Sequence, residues 1–559
     1  MVAEHDTPEL RKARGAFFTP PAIADFLTDW ALDGDANARV FDPTCGESVF
    51  LLAAGRRLKG EGCSAHAMRE QVWGTDLHQE SLDDSAKLLA AEGLSATLLP
   101  ATDFFAVASP DEPDSPLPLM DAVVGNPPFV RYQEHAGETR KLSVAAALRQ
   151  GVRLNGLASS WAATLVHSSA FLKPEGRLAM VLPAELLTVH YAEPVRRWLR
   201  TRFKQVTLVV FERLQFEDAL EHVVLVLGQG TGGCDSFNLH YVHSADDLAD
   251  LRPEDPTNFV PNDEGKWSDL LLTTSQRDLF RRVSSERFTA LSTYGAPELG
   301  TVTGANHFFM LSEATRAEYD LQPGCHVIKA CPPGTRHLTE MSFTGAMWDR
   351  LKEAGEAVWM LWPADPDDDH EGLVRYKEFG IEHGVPEGYK CSIRGDLWFR
   401  PPAVKPPSLF FTYMSHRYPR LVTNSAKVTF VNSMHGVRLA PDAPKGAASA
   451  LPLLMLNSVT MLGAELHGRS YGGGILKMEP REAGRLPVPN PDALAAAWKT
   501  LQPMKASLAR QVQKGLWVEA SKTVDDVLLR KAVGLKAAEV AQLRASAHAL
   551  RSHRLGQST

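Results

Sequence analysis

Asn126-Pro127-Pro128-Phe129 is the stretch of this 559-residue chain whose residue types and spacing bear most directly on chemistry. Two consecutive prolines fix φ, remove two backbone donors and push Asn126 towards an extended conformation. The loop is therefore rigid, rich in acceptor oxygens and poor in competing N–H groups. The Asn126 side-chain oxygen and the Pro127 carbonyl can each accept one hydrogen of an amine, and Phe129 offers a face to a heterocycle. The plain alternative is an Asn-Pro turn. An NPP-aromatic tetrapeptide arises by composition in roughly one chain in two hundred of this length. This one follows Asp121-Ala122-Val123-Val124, a strand candidate.

Three acidic residues stand at the ends of earlier strand candidates. Val40-Phe41-Asp42-Pro43-Thr44-Cys45-Gly46-Glu47-Ser48 is a strand followed by a small-residue turn, where backbone can approach a ligand ahead of a helix. It is neither GxGxxG nor a P-loop. Trp73-Gly74-Thr75-Asp76 puts a carboxylate where doubly wound folds bind ribose hydroxyls, and Thr102-Asp103-Phe104-Phe105 offers an acceptor beside an aromatic face. Singly, each acid reads as a helix N-cap. Together, at successive strand ends, they describe a nucleoside site.

The elements that must position these residues alternate. Short apolar runs at 40–41, 72–74, 97–99, 121–124, 178–182, 206–211 and 223–227 are separated by amphipathic stretches such as 79–89 and 160–172. That pattern predicts βαβ units and a largely parallel sheet ending in a hairpin. After Gly228 a glycine-rich break leads into acidic, irregular sequence, and residues 291–489 are loop-rich and mixed. Pro487-Val488-Pro489-Asn490-Pro491 reads as a boundary before two or three helices.

Composition narrows the class. A hydrophobic fraction of 44% with 23% charged residues is that of a soluble globular protein of two or three domains, and the length exceeds one core. The first residues lack a signal-peptide core and no apolar run reaches a membrane span, so a cytoplasmic location is expected. Six scattered cysteines without a CxxC pair, and nineteen histidines without a ligand cluster, predict free thiols and no metal. The net charge of −8 is uneven: Lys499 to Arg554 carries +7, leaving −15 elsewhere. A DNA partner is compatible with a local basic cleft.

In this order the motifs resemble those of the gamma-class, TaqI-like amino-methylating DNA methyltransferases. Gly15 to Pro21 resembles the motif that closes over the cofactor, which implies contacts from Thr19 and Pro20. The resemblance further implies S-adenosyl-L-methionine contacts from Asp42, Thr44, Cys45, Gly46, Asp76, Leu77, Asp103, Phe104, Asn126 and Pro128. Asn126, Pro127, Pro128 and Phe129 match the catalytic motif, and Phe216 aligns with a second aromatic around a flipped base. One position departs: Ser48 stands where relatives usually carry a second loop glycine. The second half resembles a target-recognition region more loosely, through residues 300–309 and 471–480, with Arg394, Arg417, Arg420 and Arg438 as candidate DNA contacts.

The implied fold is α/β: a class I, Rossmann-like, doubly wound methyltransferase domain (1–235), a connecting segment (236–290), a mixed α/β target-recognition domain (291–490) and a helical C-terminal segment (491–559). The implied activity is methyl transfer to the N6 amine of a flipped adenine in double-stranded DNA, with a separate cognate restriction endonuclease as candidate partner. N4-cytosine methylation with the same motif, and a catalytically inactive specificity subunit, are the alternatives.

Overall fold

Val40–Asp42 (β1) is the third strand across a nine-stranded sheet in the computed structural model, which describes residues 19–130, 136–156, 158–211, 223–251, 256–261, 266–402, 405–471 and 474–555. The other strands are Val72–Gly74 (β2), Thr97–Leu98 (β3), Met120–Gly125 (β4), Leu172–Pro183 (β5), Phe203–Phe211 (β6), Val223–Thr231 (β7), Phe237–Val242 (β8) and Thr257–Phe259 (β9). Their order is β3-β2-β1-β4-β5-β7-β6-β8-β9. The first five run parallel, and β7 is inserted antiparallel between β5 and β6. Met120, Ala122, Val123 and Val124 are all fully buried, as a central parallel strand covered on both faces requires. The helices Pro21–Leu32 (α1), Val49–Gly60 (α2), Gln79–Ala91 (α3), Gly137–Arg149 (α4), Ser160–Ser168 (α5) and Glu193–Arg202 (α6) alternate with the strands.

The sheet does not end at the β6–β7 hairpin. β8 pairs parallel with β6, and β9 pairs antiparallel with β8. These strands come from the stretch expected to be a connecting segment. Phe237 and Leu239 are buried, and Phe237 and Phe259 pack edge-on against Trp267 at 5.3 and 5.7 Å. That apolar burial holds the edge in place.

The described residues divide into two compact units between Thr273 and Thr274. The second unit contains a five-stranded sheet, in the order Pro297–Leu299, His435–Val437, Leu409–Phe411, Leu421–Asn424, Ser342–Phe343, and smaller sheets of two to four residues per strand. Pro487–Pro489, at the boundary expected before the C-terminal helices, forms a strand paired antiparallel with Phe288–Ala290. Prolines suit such a two-stranded edge position. The C-terminal helices belong to this unit: Arg544 reaches buried Asp525 at 2.9 Å, which itself accepts from Ser458, and Arg554 pairs with Glu465 at 2.7 Å. Among the described residues no single helix is long and apolar enough to cross a membrane.

Candidate active site

The parallel strands deliver the acidic residues to one edge, and backbone hydrogen bonds tie the strand ends together. Thr75 N–H donates to the Asp42 carbonyl (3.2 Å) and Cys45 N–H to that of Thr75 (2.9 Å). Gly46 N–H donates to the Asp76 carboxylate (3.0 Å), whose other oxygen accepts from His78 N–H (2.9 Å). A Cβ added to Gly125, at the end of β4, would lie 3.0 Å from Asp42 Oδ1. The ends of β1, β2 and β4 thus converge on Asp42.

Asp42 is 1% exposed, and one carboxylate oxygen accepts from Thr44 N–H at 3.1 Å. Burial, reinforced by the Asp76 charge, pushes its carboxyl up to about 8. The other oxygen, Oδ2, and the Thr44 and Thr75 hydroxyls are buried without a hydrogen-bond partner among the described residues. Three such atoms at one strand edge form a polar cradle that a ligand can satisfy. Cys45 is buried, and burial with the Asp42 and Asp76 charges raises its thiol pKa, which favours packing over nucleophilic chemistry. Ser48 explains its own departure from glycine: it adopts φ 67°, in the left-handed region, and its hydroxyl bonds to Ser85 of α3. The side chain is buried against that helix.

Leu77, beside Asp76, is 57% exposed and leaves an apolar surface at the strand end. Asp103 caps the short turn Phe104–Ala106 through Phe105 N–H at 3.0 Å. Phe104 lies largely inside, with ring centroids 4.6 Å from His167, 5.6 Å from Phe171 and 6.0 Å from Phe41. The Asp103 and Phe104 pair is therefore also a structural unit, and burial holds the His167 imidazole down to about 4.

Asn126 follows β4 directly, and its amide nitrogen donates to the buried Thr19 hydroxyl at 3.1 Å. Pro20 precedes α1, where its carbonyl accepts from Ile23 N–H at 3.0 Å. Phe129 is mostly covered, at 8% exposure. Ser160 grips this loop from α5. Its hydroxyl accepts from Val130 N–H (3.0 Å) and donates to the Pro128 carbonyl, while its N–H donates to the Val130 carbonyl (3.0 Å). Next to it, Trp161 Nε1–H donates to the Tyr191 hydroxyl at 2.9 Å, and that hydroxyl donates to Glu185. Sequence reasoning did not single out Ser160; its signal, a serine opening a helix, reads as a cap. Phe216 lies outside the described residues.

The sequence profile of the N-6 DNA methylase family matches residues 3–210, the stretch containing every strand end described above. This catalytic unit belongs to the N-6 DNA methylase family. It is an adenine-specific DNA methyltransferase. A second profile, the C-terminal domain of the Type II methyltransferase M.Eco57I, matches residues 264–529. Type II methyltransferase M.AccI of Acinetobacter calcoaceticus is 21% identical over 492 residues, 85% of each chain. M.XamI of Xanthomonas campestris pv. amaranthicola is 23% identical over 498 residues, 86% of each. The fold resembles the type IIG restriction endonuclease BpuSI, with a TM-score of 0.51 and 14% identity over 98% of this chain and 67% of that one.

In this methylase the four candidate DNA-contacting arginines have different surroundings. Arg394 donates to the carbonyls of Val302, Thr303 and Trp398 and lies over the Phe309 ring, so its guanidinium is engaged within the domain. Arg438 pairs with Glu298 at 2.6 Å. Arg417 and Arg420 pair with no carboxylate among the described residues. None of the described residues group to hold a metal ion.

Proposed function

We propose that this methylase moves a methyl group from S-adenosyl-L-methionine to the N6 amine of an adenine flipped out of duplex DNA, as the modification enzyme of a restriction–modification pair. The observation that carries this is the juxtaposition at β4. An amine-accepting loop, Asn126 to Phe129, follows a strand whose last glycine abuts Asp42, in a cradle of unsatisfied polar atoms.

The cradle fits S-adenosyl-L-methionine, whose amino, carboxylate and ribose hydroxyl groups require donors and acceptors at close range. Asp42, Thr44, the Gly46 backbone and Asp76 would hold it, with Leu77 as an apolar surface for its base. When bound, that cofactor supplies an electrophilic methyl on a sulfonium. The chain's own residues must supply position. An exocyclic amine lone pair is delocalised into its ring and is weakly nucleophilic. Acceptance of its two hydrogens by Asn126 Oδ1 and the Pro127 carbonyl would localise and aim that lone pair. Thr19 fixes the Asn126 amide so that nitrogen is held and oxygen serves the substrate. Ser160 occupies the Pro128 carbonyl, which leaves Pro127 as the acceptor. A base inside a duplex is out of reach, so flipping is required, with Phe129 as one wall. Cys45 packs in the cofactor loop and is not a nucleophile.

Nucleoside mass spectrometry of DNA incubated with the protein and methyl-labelled S-adenosylmethionine tests the reading. The expected product is labelled N6-methyladenine. Labelled N4-methylcytosine alone would refute the adenine assignment at this site. Unlabelled DNA with cofactor-saturated, folded protein would refute catalysis by this chain. The names of M.AccI and M.XamI support a partner nuclease; cleavage by it should stop at sites that this protein has methylated.

A further inference from the structure

The second unit gathers three arginines that make no ion pair among the described residues. Arg417 and Arg420 lie on the loop after Met414–Ser415, and the C-terminal helix Ala537–Leu555 brings Arg551 and Arg554 to the same place. Arg551 lies over the Trp517 ring, 4.4 Å from its centroid, and Trp517 packs on Tyr418 at 5.1 Å. Arg554 is satisfied by Glu465 at 2.7 Å and 2.8 Å. The Arg417, Arg420 and Arg551 side chains make no ion pair among the described residues, and Arg551 Nε is buried without a hydrogen-bond partner.

Held cations of one sign, partly withdrawn from water, cost free energy unless an anion completes them. The mutual strain is visible here. Burial lowers the Arg420 pKa, and the Arg417 charge adds to it despite Tyr418. Burial lowers that of Arg551, and the Arg554 and Arg417 charges reinforce it against Glu465 and Tyr418. The Trp517 ring, itself packed on Tyr418, fixes the plane of the Arg551 guanidinium. A planar guanidinium held in one orientation, with its Nε–H still unpartnered, suits the oxygens of a phosphate. The charge of the chain agrees: the positive excess lies in this C-terminal stretch and the rest is acidic, which would direct a polyanion here.

We propose that Arg417, Arg420 and Arg551, on the Tyr418–Trp517 floor, form a clamp for the phosphate backbone of the DNA substrate, one that positions the duplex without reading its sequence. The proposal rests on duplex DNA being the substrate. It gives the C-terminal helix a part in binding, beyond packing against the recognition unit.

The test uses the full chain and two duplexes of equal length, one that the wild type methylates and one that it leaves unmodified. Fluorescence anisotropy gives affinity for each between about 50 and about 200 mM salt, the range over which counterion release is resolved. R417Q, at an exposed side chain, and R551Q should each weaken binding to both duplexes by the same factor. Each should lower the slope of log affinity against log salt by about one. R551K, which keeps the charge, should restore most of that slope. An unchanged slope in the R417Q/R551Q double variant, with wild-type methylation intact, overturns the clamp alone. Loss confined to the methylated duplex also overturns it, because the arginines would then read bases. Unchanged DNA binding with loss of an acidic protein partner overturns it in favour of that partner. A wild type that neither binds nor methylates any duplex overturns both the clamp and the proposed substrate.

Discussion

Replacing Ser160 by alanine removes two hydrogen bonds from the Asn126 loop and leaves one. Val130 N–H loses the hydroxyl acceptor at 3.0 Å and the Pro128 carbonyl loses its donor, while the Ser160 N–H bond to the Val130 carbonyl persists. A buried donor left unpaired costs about 1–3 kcal/mol. Val130 is only half-buried, so water recovers part of this, and about 1–2 kcal/mol is the expected penalty on the loop's native geometry. If that geometry is needed only when the amine attacks, the penalty falls on the chemical step. S160A should then lower kcat about 10-fold, at about 1.4 kcal/mol per factor of ten. The KM values for DNA and cofactor should stay near those of the wild type. Single-turnover methylation with labelled cofactor separates these terms, and S160T, which retains the hydroxyl, should recover most of the rate. A kcat for S160A within about two-fold of wild type, or a loss carried wholly by KM, would refute the positioning role.

Asn126→Ala should abolish methyl transfer while duplex binding, measured by anisotropy, remains largely intact; loss of binding would mean that the loop serves the DNA and not the amine. His167 titrates at about 4 in the folded protein, below its ordinary value near 6.5. The unfolded chain therefore takes up a proton first as pH falls, and the stability present above about 6.5 is lost progressively towards about 4. Urea unfolding should show a loss of about 2 kcal/mol from this residue between about pH 7 and about pH 5, and H167F should remove that component. S48G relieves a left-handed conformation worth about 1 kcal/mol but deletes the bond to Ser85 and loosens the unfolded chain, so its melting temperature should change little. Calorimetric titration should then show cofactor affinity close to wild type, because the Ser48 side chain is turned towards α3; a large gain in affinity would place the serine in the cofactor's path.

The catalytic unit was readable because its signals are local. Each strand candidate from 40 to 227 is a strand, and Asp42, Asp76 and Asn126 arrive together because parallel strands present their C-terminal ends on one side. Ser160 was not readable, since its partners Pro128 and Val130 lie thirty residues away and a serine before a helix has a commoner explanation. Ser48 showed only that a glycine was missing; its positive φ and its contact with Ser85 need coordinates. β8 was hidden behind the glycine-rich break that precedes it. In the second unit, strands of two to four residues are too short for an alternation pattern. Arginine roles there depend on neighbours distant in sequence: carbonyls for Arg394, Glu298 for Arg438, and Trp517 beside Arg551.

The pairing of Phe288–Ala290 with Pro487–Pro489 means that the chain enters and leaves residues 291–486 through adjoining strands. Asn490 N–H donates to the Arg287 carbonyl at 3.1 Å, and the Tyr294 hydroxyl to that of Pro489 at 2.8 Å, closing the junction like a clasp. Nearly two hundred residues thus leave and return through one junction, and they also pack on the C-terminal helices through the Ser458–His467 helix and Tyr418. Exchanging that stretch as a cassette therefore means reproducing the two-stranded junction together with the Ser458, Glu465 and Tyr418 contacts to the C-terminal helices. The C-terminal helices and the junction strands thus act as a fixed socket, and the residues between them can vary only where they do not touch it.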